Sequence, residues 1–135
     1  MRNIQSANAR IAVDAAMKKA LEMQIAVCIA IVDAGGHLLA FLRMDRAMLG
    51  SIDISQRKAR TSAYFGLNSE VMGHASQPGG PFYGVENSNG GLITFAGGAP
   101  LTGGTSEIWG AIGVSGGTSD QDAVIAKSGA EAFPT

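Results

Sequence analysis

Apolar and polar positions alternate with a helical period near the start of the chain. Between residues 7 and 22, apolar side chains fall on one face: Ile11, Ala12, Ala15, Ala16 and Ala20. The opposite face carries Asp14 and Lys18. Because this spacing is that of an amphipathic helix, it predicts a helix over 7–22, with Ser6 as its N-cap.

The next segment is apolar without interruption. Residues 25–32 read IAVCIAIV, which is rich in β-branched side chains and predicts a strand buried on both faces. Residues 33–36 read DAGG, a sequence typical of a tight turn. Residues 37–44 then predict a return strand, so the two segments form a hairpin.

The remainder of the chain predicts two more helices and three short strands. Residues 54–65 form the second helix, with Asp53 as N-cap and Gly66 at its end. Thr118 and Gln121 have the spacing of a capping box at the start of the final helix. Between these helices we predict a long loop at 73–91, strands at 92–95 and 108–114, and a short extended piece after a turn at 97–101.

Hairpin-linked strands with helices placed around them predict an α+β fold with an antiparallel sheet. The 135 residues have the length of one domain, and no repeat or linker divides them, so we expect a single domain over 1–135. The low share of charged residues, 16%, is expected if part of the surface is buried in an oligomer.

The charge balance excludes some classes of partner. The net charge is −1 and no basic stripe is present, so neither nucleic acid nor an anionic membrane is an expected partner. No apolar run approaches about 18 residues, and no signal peptide is recognisable, so the expected location is the cytoplasm.

The chain has one cysteine and two histidines. Cys28 lies within the first apolar strand, where a lone thiol is expected to be a core residue. Neither His37 nor His74 has a second histidine or cysteine at metal-ligand spacing, so a structural zinc site is not expected.

A glycine-rich break follows the last strand, at Gly113-Val114-Ser115-Gly116-Gly117-Thr118. It is not a phosphate-binding P-loop, because no Lys-Ser or Lys-Thr follows the glycines. It matches the nucleophile pattern G-x-S-x-G, but no histidine follows Ser115. We interpret it as a sharp strand-to-helix corner, whose free amides could also hold a carboxylate.

Four polar residues are candidates for chemistry. Helical spacing turns Lys58 inward with Ile54 and Thr61, where its pKa would be depressed and it could act as acid, base or anion anchor; a surface lysine is the structural alternative. Arg43 and Asp45 share a strand face and could form an ion pair, or Arg43 could clamp a carboxylate. His37 follows the hairpin turn and could be an exposed residue, a general base or a haem ligand.

Five other polar residues have a structural explanation, which is sufficient for the first two. Asp120 and Asp122 lie in the first turns of the final helix, where carboxylates favour the helix dipole. Tyr83 and Glu86 lie in the glycine-rich loop, where they could close over a ligand or contact another copy of the chain. His74 begins this loop and could be simply exposed or could bind a ligand.

Four motifs together resemble those of the GlcG/HbpS family, which includes the C-terminal domain of PduO-type cobalamin adenosyltransferases. In order they are VDAGGHLLAFLRMD, ISQRKARTSAYFG, FAGGAPL and GAIGVSGGTSDQDAVIAKSGAEAF, and the similarity spans nearly the whole chain. The resemblance implies a profilin-like fold with a central antiparallel sheet of about five strands. It also implies homo-oligomers and, for some members, binding or degradation of haem.

We therefore expect a protein that binds a small organic ligand, with haem the ligand that the resemblance favours. The expected pocket contains a set of residues from four segments: Arg43, Asp45, Lys58, Gly97, Gly98, Ser115, Gly116 and Thr118. The alternatives are an enzyme of small-molecule catabolism, in which Lys58 or His37 transfers a proton on a carboxylated or carbonyl substrate, and an assembly module without a ligand.

Overall fold

A computed structural model describes residues 3–134; residues 1, 2 and 135, the ends of the predicted domain, lie outside the described part. The regular elements in chain order are α1 (Ser6–Glu22), β1 (Cys28–Asp33), β2 (Leu38–Arg43), α2 (Ser51–Phe65), α3 (Ser69–Ala75), β3 (Gly98–Leu101), β4 (Gly110–Ser115) and α4 (Ser119–Ala132). A 3₁₀ turn at Val85–Asn87 lies between α3 and β3.

The described residues contain one antiparallel sheet of four strands in the order β2-β1-β4-β3. The α+β class is confirmed, but the expected count of about five strands is wrong. The predicted strand at 92–95 is not part of the sheet, and side-chain hydroxyls bind its carbonyl groups instead. Thr61 donates to the Ile93 carbonyl and Ser69 to the Phe95 carbonyl, both at 2.8 Å. The profilin-like assignment and the homo-oligomer stay predictions.

The central strands β1 and β4 are buried along almost their whole length. Their larger side chains, among them Ile29, Ile31 and Ile112, pack with the apolar faces of α1 and α4. The other face carries smaller groups, so α2 lies very close to it. A Cβ on Gly113 would overlap the backbone of Ser55, which explains glycine at that position.

Two of the three predicted N-caps are wrong by a few residues. Gln5 is the N-cap of α1, so Ser6 lies inside the helix. The N-cap of α2 is Gly50, which places Asp53 in the first turn, where its carboxylate accepts a 2.6 Å bond from Arg57. The capping box of α4 is confirmed: Gln121 N–H donates to the Thr118 hydroxyl, and Thr118 N–H donates to the Gln121 side chain.

The predicted loop at 73–91 is more ordered than its glycine content suggests. Its first three residues belong to α3, which ends at Ala75, and Val85–Asn87 forms the 3₁₀ turn. This arrangement brings α3 and the turn to the same side of the fold as the start of α4. Among the helices of residues 3–134, none is long and apolar enough to cross a membrane.

Candidate functional site

Lys58 lies in the middle of α2 and faces the sheet, as the helical spacing predicted. Its side chain is 0% exposed. The ammonium Nζ donates to the Val114 carbonyl at 2.8 Å and to Asp122 Oδ2 at 3.0 Å, and it lies 4.8 Å from the centre of the Phe95 ring. The ammonium is therefore shielded from solvent by groups of the chain itself, and its role as acid, base or anion anchor stays a prediction.

Burial controls the protonation of Lys58. Loss of solvent lowers its pKa, because the charged form loses its hydration, while the charge of Asp122 and the hydrogen bond to it act in the opposite direction. The predicted depression of the Lys58 pKa is thus confirmed in direction.

Asp122 is the partner that sequence reasoning missed. Its Oδ2 accepts from Lys58, and its Oδ1 accepts from Gly117 N–H at 2.8 Å. The helix dipole alone is therefore an insufficient explanation for this carboxylate. A signal was present in the sequence: Asp122 falls on the same helical face as the buried Ile125 and Gly129, where an unpaired carboxylate would be costly.

The glycine-rich corner after β4 is closed by the same carboxylate. The predicted anion for its free amides is supplied, at Gly117, by Asp122 within the chain. Ser115 is buried, and its hydroxyl donates to Ser51 at 3.0 Å. Thr118 is engaged in the capping box. Gly116 adopts φ 144°, and its Cβ position is filled by the backbone of Ala26 and Val27. The ligand-binding roles of Ser115, Gly116 and Thr118 stay predictions.

Gly97 and Gly98 pack directly on Lys58. A Cβ on Gly97, which has φ 129°, would lie 2.7 Å from Lys58 Nζ. A Cβ on Gly98 would meet the Lys58 carbonyl, and would lie 2.7 Å from the Ser62 hydroxyl. These glycines are therefore required for packing, whether or not they also contact a ligand.

Of the remaining predicted residues, Arg43 lies at the same end of the sheet as Ser115, with Cys28 between them, whereas His37 lies at the other end. Arg43 ends β2 and Asp45 lies in the following turn; both are exposed, and within residues 3–134 they form no ion pair with each other. His37, with a side chain 83% exposed, lies at the hairpin next to Asp33. The Asp33 end of β1 is opposite to the Cys28 end, which adjoins Ser115. His37 and Lys58 are consequently not brought together, and their catalytic roles remain predictions.

Cys28 is a buried free thiol, as predicted for a core residue. Burial raises its pKa, and the charge of Arg43, its cross-strand partner, acts in the opposite direction. In the part of the chain that the structure describes, no group of three or more metal-ligating side chains is found.

A hollow of about 640 Å³ opens between α3, the segment before β3 and the start of α4, and we call it the α3–α4 hollow. Its walls come from four segments of the chain: Glu70, Gly73, His74, Gln77, Glu86, Thr94, Phe95, Ala96, Ser119, Asp120 and Ala123. A neighbouring hollow of about 710 Å³ shares Glu70 and Ala123 with it. Of the predicted pocket residues, only Gly98 lines either hollow, and it lines the neighbouring one.

The ionisable side chains that line the α3–α4 hollow are acidic apart from one imidazole. Glu70, Glu86 and Asp120 supply three carboxylates, His74 supplies the imidazole, and no lysine or arginine is among the lining residues. Oε2 of Glu70 and Oε1 of Glu86 are shielded from solvent and accept no hydrogen bond from residues 3–134. These oxygens are therefore unpaired acceptors within the wall of the hollow.

Phe95 is in contact with both the Lys58–Asp122 pair and the α3–α4 hollow. One side of its ring contacts the Lys58 ammonium, and the residue also lines the α3–α4 hollow. The buried ion pair and the open cavity therefore adjoin at Phe95.

The chain was compared with known families and proteins. Residues 4–131 match the family model described as "Haem degrading protein HbpS-like". The chain belongs to the HbpS-like family. An uncharacterised 15.0 kDa protein encoded between dhaT and dhaS in Citrobacter freundii is 37% identical over 116 residues, covering 85% of this chain and 81% of that protein.

Solved structures of the family show the same fold. The Klebsiella pneumoniae protein ORFY is 36% identical, with a TM-score of 0.93, covering 98% of this chain and 92% of that one. PduOC, solved as a complex with haem, is 29% identical, with a TM-score of 0.90, covering 98% of this chain and 99% of that one. The resemblance inferred from the four sequence motifs is therefore confirmed.

Proposed function

We propose that this protein binds haem in the α3–α4 hollow, with His74 as the iron ligand. The observation that carries the proposal is an imidazole on the wall of a cavity that also contains an aromatic side chain, Phe95. Support comes from the family's description as haem-degrading and from the haem complex of PduOC. At about 640 Å³, the hollow falls within the roughly 300–1,000 Å³ range of small-molecule sites.

The donor set of the hollow fits the iron and ring of haem. Histidine is a common axial ligand of haem iron, and an aromatic side chain offers an apolar surface to the macrocycle. The carboxylates of Glu70 and Glu86 are compatible with the positive charge of the iron, but they would repel the propionates of haem. The propionates therefore belong at the open mouth of the hollow, where water solvates them.

The rival proposal, a catabolic enzyme that uses Lys58 or His37, has less support from the geometry. Lys58 Nζ is sealed behind Phe95 and holds Asp122, so a substrate could reach it only after this packing opened. His37 is exposed on the hairpin and lines neither of the two hollows. Neither residue is therefore well placed to transfer a proton to a bound substrate.

The chain's two histidines make a matched test. Purified protein is titrated with haemin, and the Soret band is followed to saturation. We expect a saturable shift in the wild type and in His37→Ala, and its loss in His74→Ala, since only the latter removes the proposed ligand. The far-ultraviolet circular dichroism of each variant checks that the fold is retained. A shift that disappears in His37→Ala and persists in His74→Ala would overturn the assignment.

A further inference from the structure

The charge of the α3–α4 hollow comes from three separate elements. Glu70 belongs to α3, Glu86 to the 3₁₀ turn, and Asp120 to the first turn of α4. The carboxylates therefore come from three different parts of the wall, and a guest that fills the hollow lies among them.

No cation of the chain offsets this charge within the lining. The buried ammonium of Lys58 contacts the Phe95 ring but is not part of the lining, and it already binds Asp122. Glu70 and Glu86 each have a solvent-shielded oxygen without a partner among the described residues. A guest carboxylate placed against these walls would meet like charge in a partly desolvated setting, where repulsion is stronger than in water.

We infer that the hollow selects iron tetrapyrroles whose carboxylates lie along one edge of the ring, and rejects those with carboxylates around it. The inference rests on the proposed haem site. A ring with both carboxylates on one edge can direct them to the solvent-facing mouth, while its uncharged edges enter among Glu70, Glu86 and Asp120. A ring with carboxylates at opposite edges must bring at least one against the acidic walls.

The test compares haemin with iron coproporphyrin III, whose four carboxylates are spread around the ring. We expect the wild type to bind iron coproporphyrin at least about tenfold more weakly than haemin, a difference of about 1.4 kcal/mol. The tetramethyl ester of iron coproporphyrin controls for size, since it has a similar bulk without the charges, and it should bind within about threefold of haemin.

The variant Glu70→Gln/Glu86→Gln/Asp120→Asn removes the wall charges with little change in shape. We expect it to bring the affinities for haemin and iron coproporphyrin to within about threefold of each other. Equal affinities in the wild type, or a tenfold difference that persists in the triple variant or with the ester, would overturn the selection by charge while leaving haem binding in place. Failure of haemin itself to bind would remove the proposed function and this inference together.

Discussion

The Lys58–Asp122 pair and the α3–α4 hollow both contain ionisable side chains, but they differ in what surrounds those side chains. At the pair, Lys58 is fully buried, Asp122 almost so, and both donate or accept within the chain. In the hollow, three carboxylates and an imidazole line a cavity open to solvent, and two carboxylate oxygens lack a partner in residues 3–134.

This difference distinguishes charged side chains that hold the fold together from charged side chains that remain free to meet a ligand. A buried ion pair with further hydrogen bonds to backbone groups holds two elements together, here α2 and α4, and its charges are already compensated within the chain. A cavity whose polar atoms are incompletely bonded can gain by binding one. Sequence reasoning placed the ligand at Lys58, whereas we propose that it binds in the α3–α4 hollow.

The most direct test of the contrast replaces single carboxylates with the corresponding amides. Asp122→Asn should lower the free energy of unfolding by about 3–5 kcal/mol, because it leaves the buried Lys58 ammonium without a compensating charge. Urea unfolding followed by circular dichroism measures the change.

Asp120→Asn is the matched control, two residues away in the same turn but exposed. It should cost less than about 1 kcal/mol, mainly through the helix dipole. If the two variants were equally destabilised, the pair would not be the feature that holds α4 to α2.

The second test removes both charges of the pair. Lys58→Met/Asp122→Leu should be more stable than Asp122→Asn, because no uncompensated charge is left in the interior, and double replacements of this kind are often neutral or stabilising by about 1–4 kcal/mol. The same unfolding experiment ranks the two variants, and a double variant less stable than Asp122→Asn would contradict the argument.

The pair also predicts a dependence on pH. Burial lowers the pKa of Lys58 from its ordinary 10.5, so just below pH 10.5 the unfolded chain binds the proton more tightly than the folded chain does. The wild type should consequently gain stability relative to the double variant as the pH rises toward 10.5, and the difference should level off below the folded-state pKa. A relative loss of stability over this window would show that burial does not dominate.

The smallest effect on stability is expected in the hollow. Glu70→Gln removes a charge whose Oε2 has no partner among the described residues, so the free energy of unfolding should change by no more than about 0.5 kcal/mol. Urea unfolding alongside Asp122→Asn gives the comparison under identical conditions. A loss of unfolding free energy similar to that of Asp122→Asn would mean that Glu70 holds the fold together as Asp122 does.

The sequence was most informative where local chemistry decides the structure. The period of apolar residues located α1 and α2, the uninterrupted apolar run located β1, and Thr118 with Gln121 specified the start of α4. These features depend on neighbours a few residues apart, so a linear pattern contains them. The inward orientation of Lys58 belongs to the same class, since it follows from the spacing of α2 alone.

Local patterns failed where hydrogen-bond partners come from distant parts of the chain. The segment 92–95 has the composition of a strand, but Thr61 and Ser69 bind its carbonyls from 32 and 26 residues away. Lys58 and Asp122 are 64 residues apart, and nothing in the sequence of either helix names the other as its partner.

By itself, the sequence determined the α+β class, most of the helices and strands, the family and the inward-facing lysine, because periodicity, turn chemistry and motif order are properties of the linear chain. Only the tertiary structure decided that Asp122 neutralises Lys58 and that His74, Glu70, Glu86 and Asp120 share a cavity. The physical reason is that burial and charge compensation depend on which segments meet when the sheet and its helices pack together.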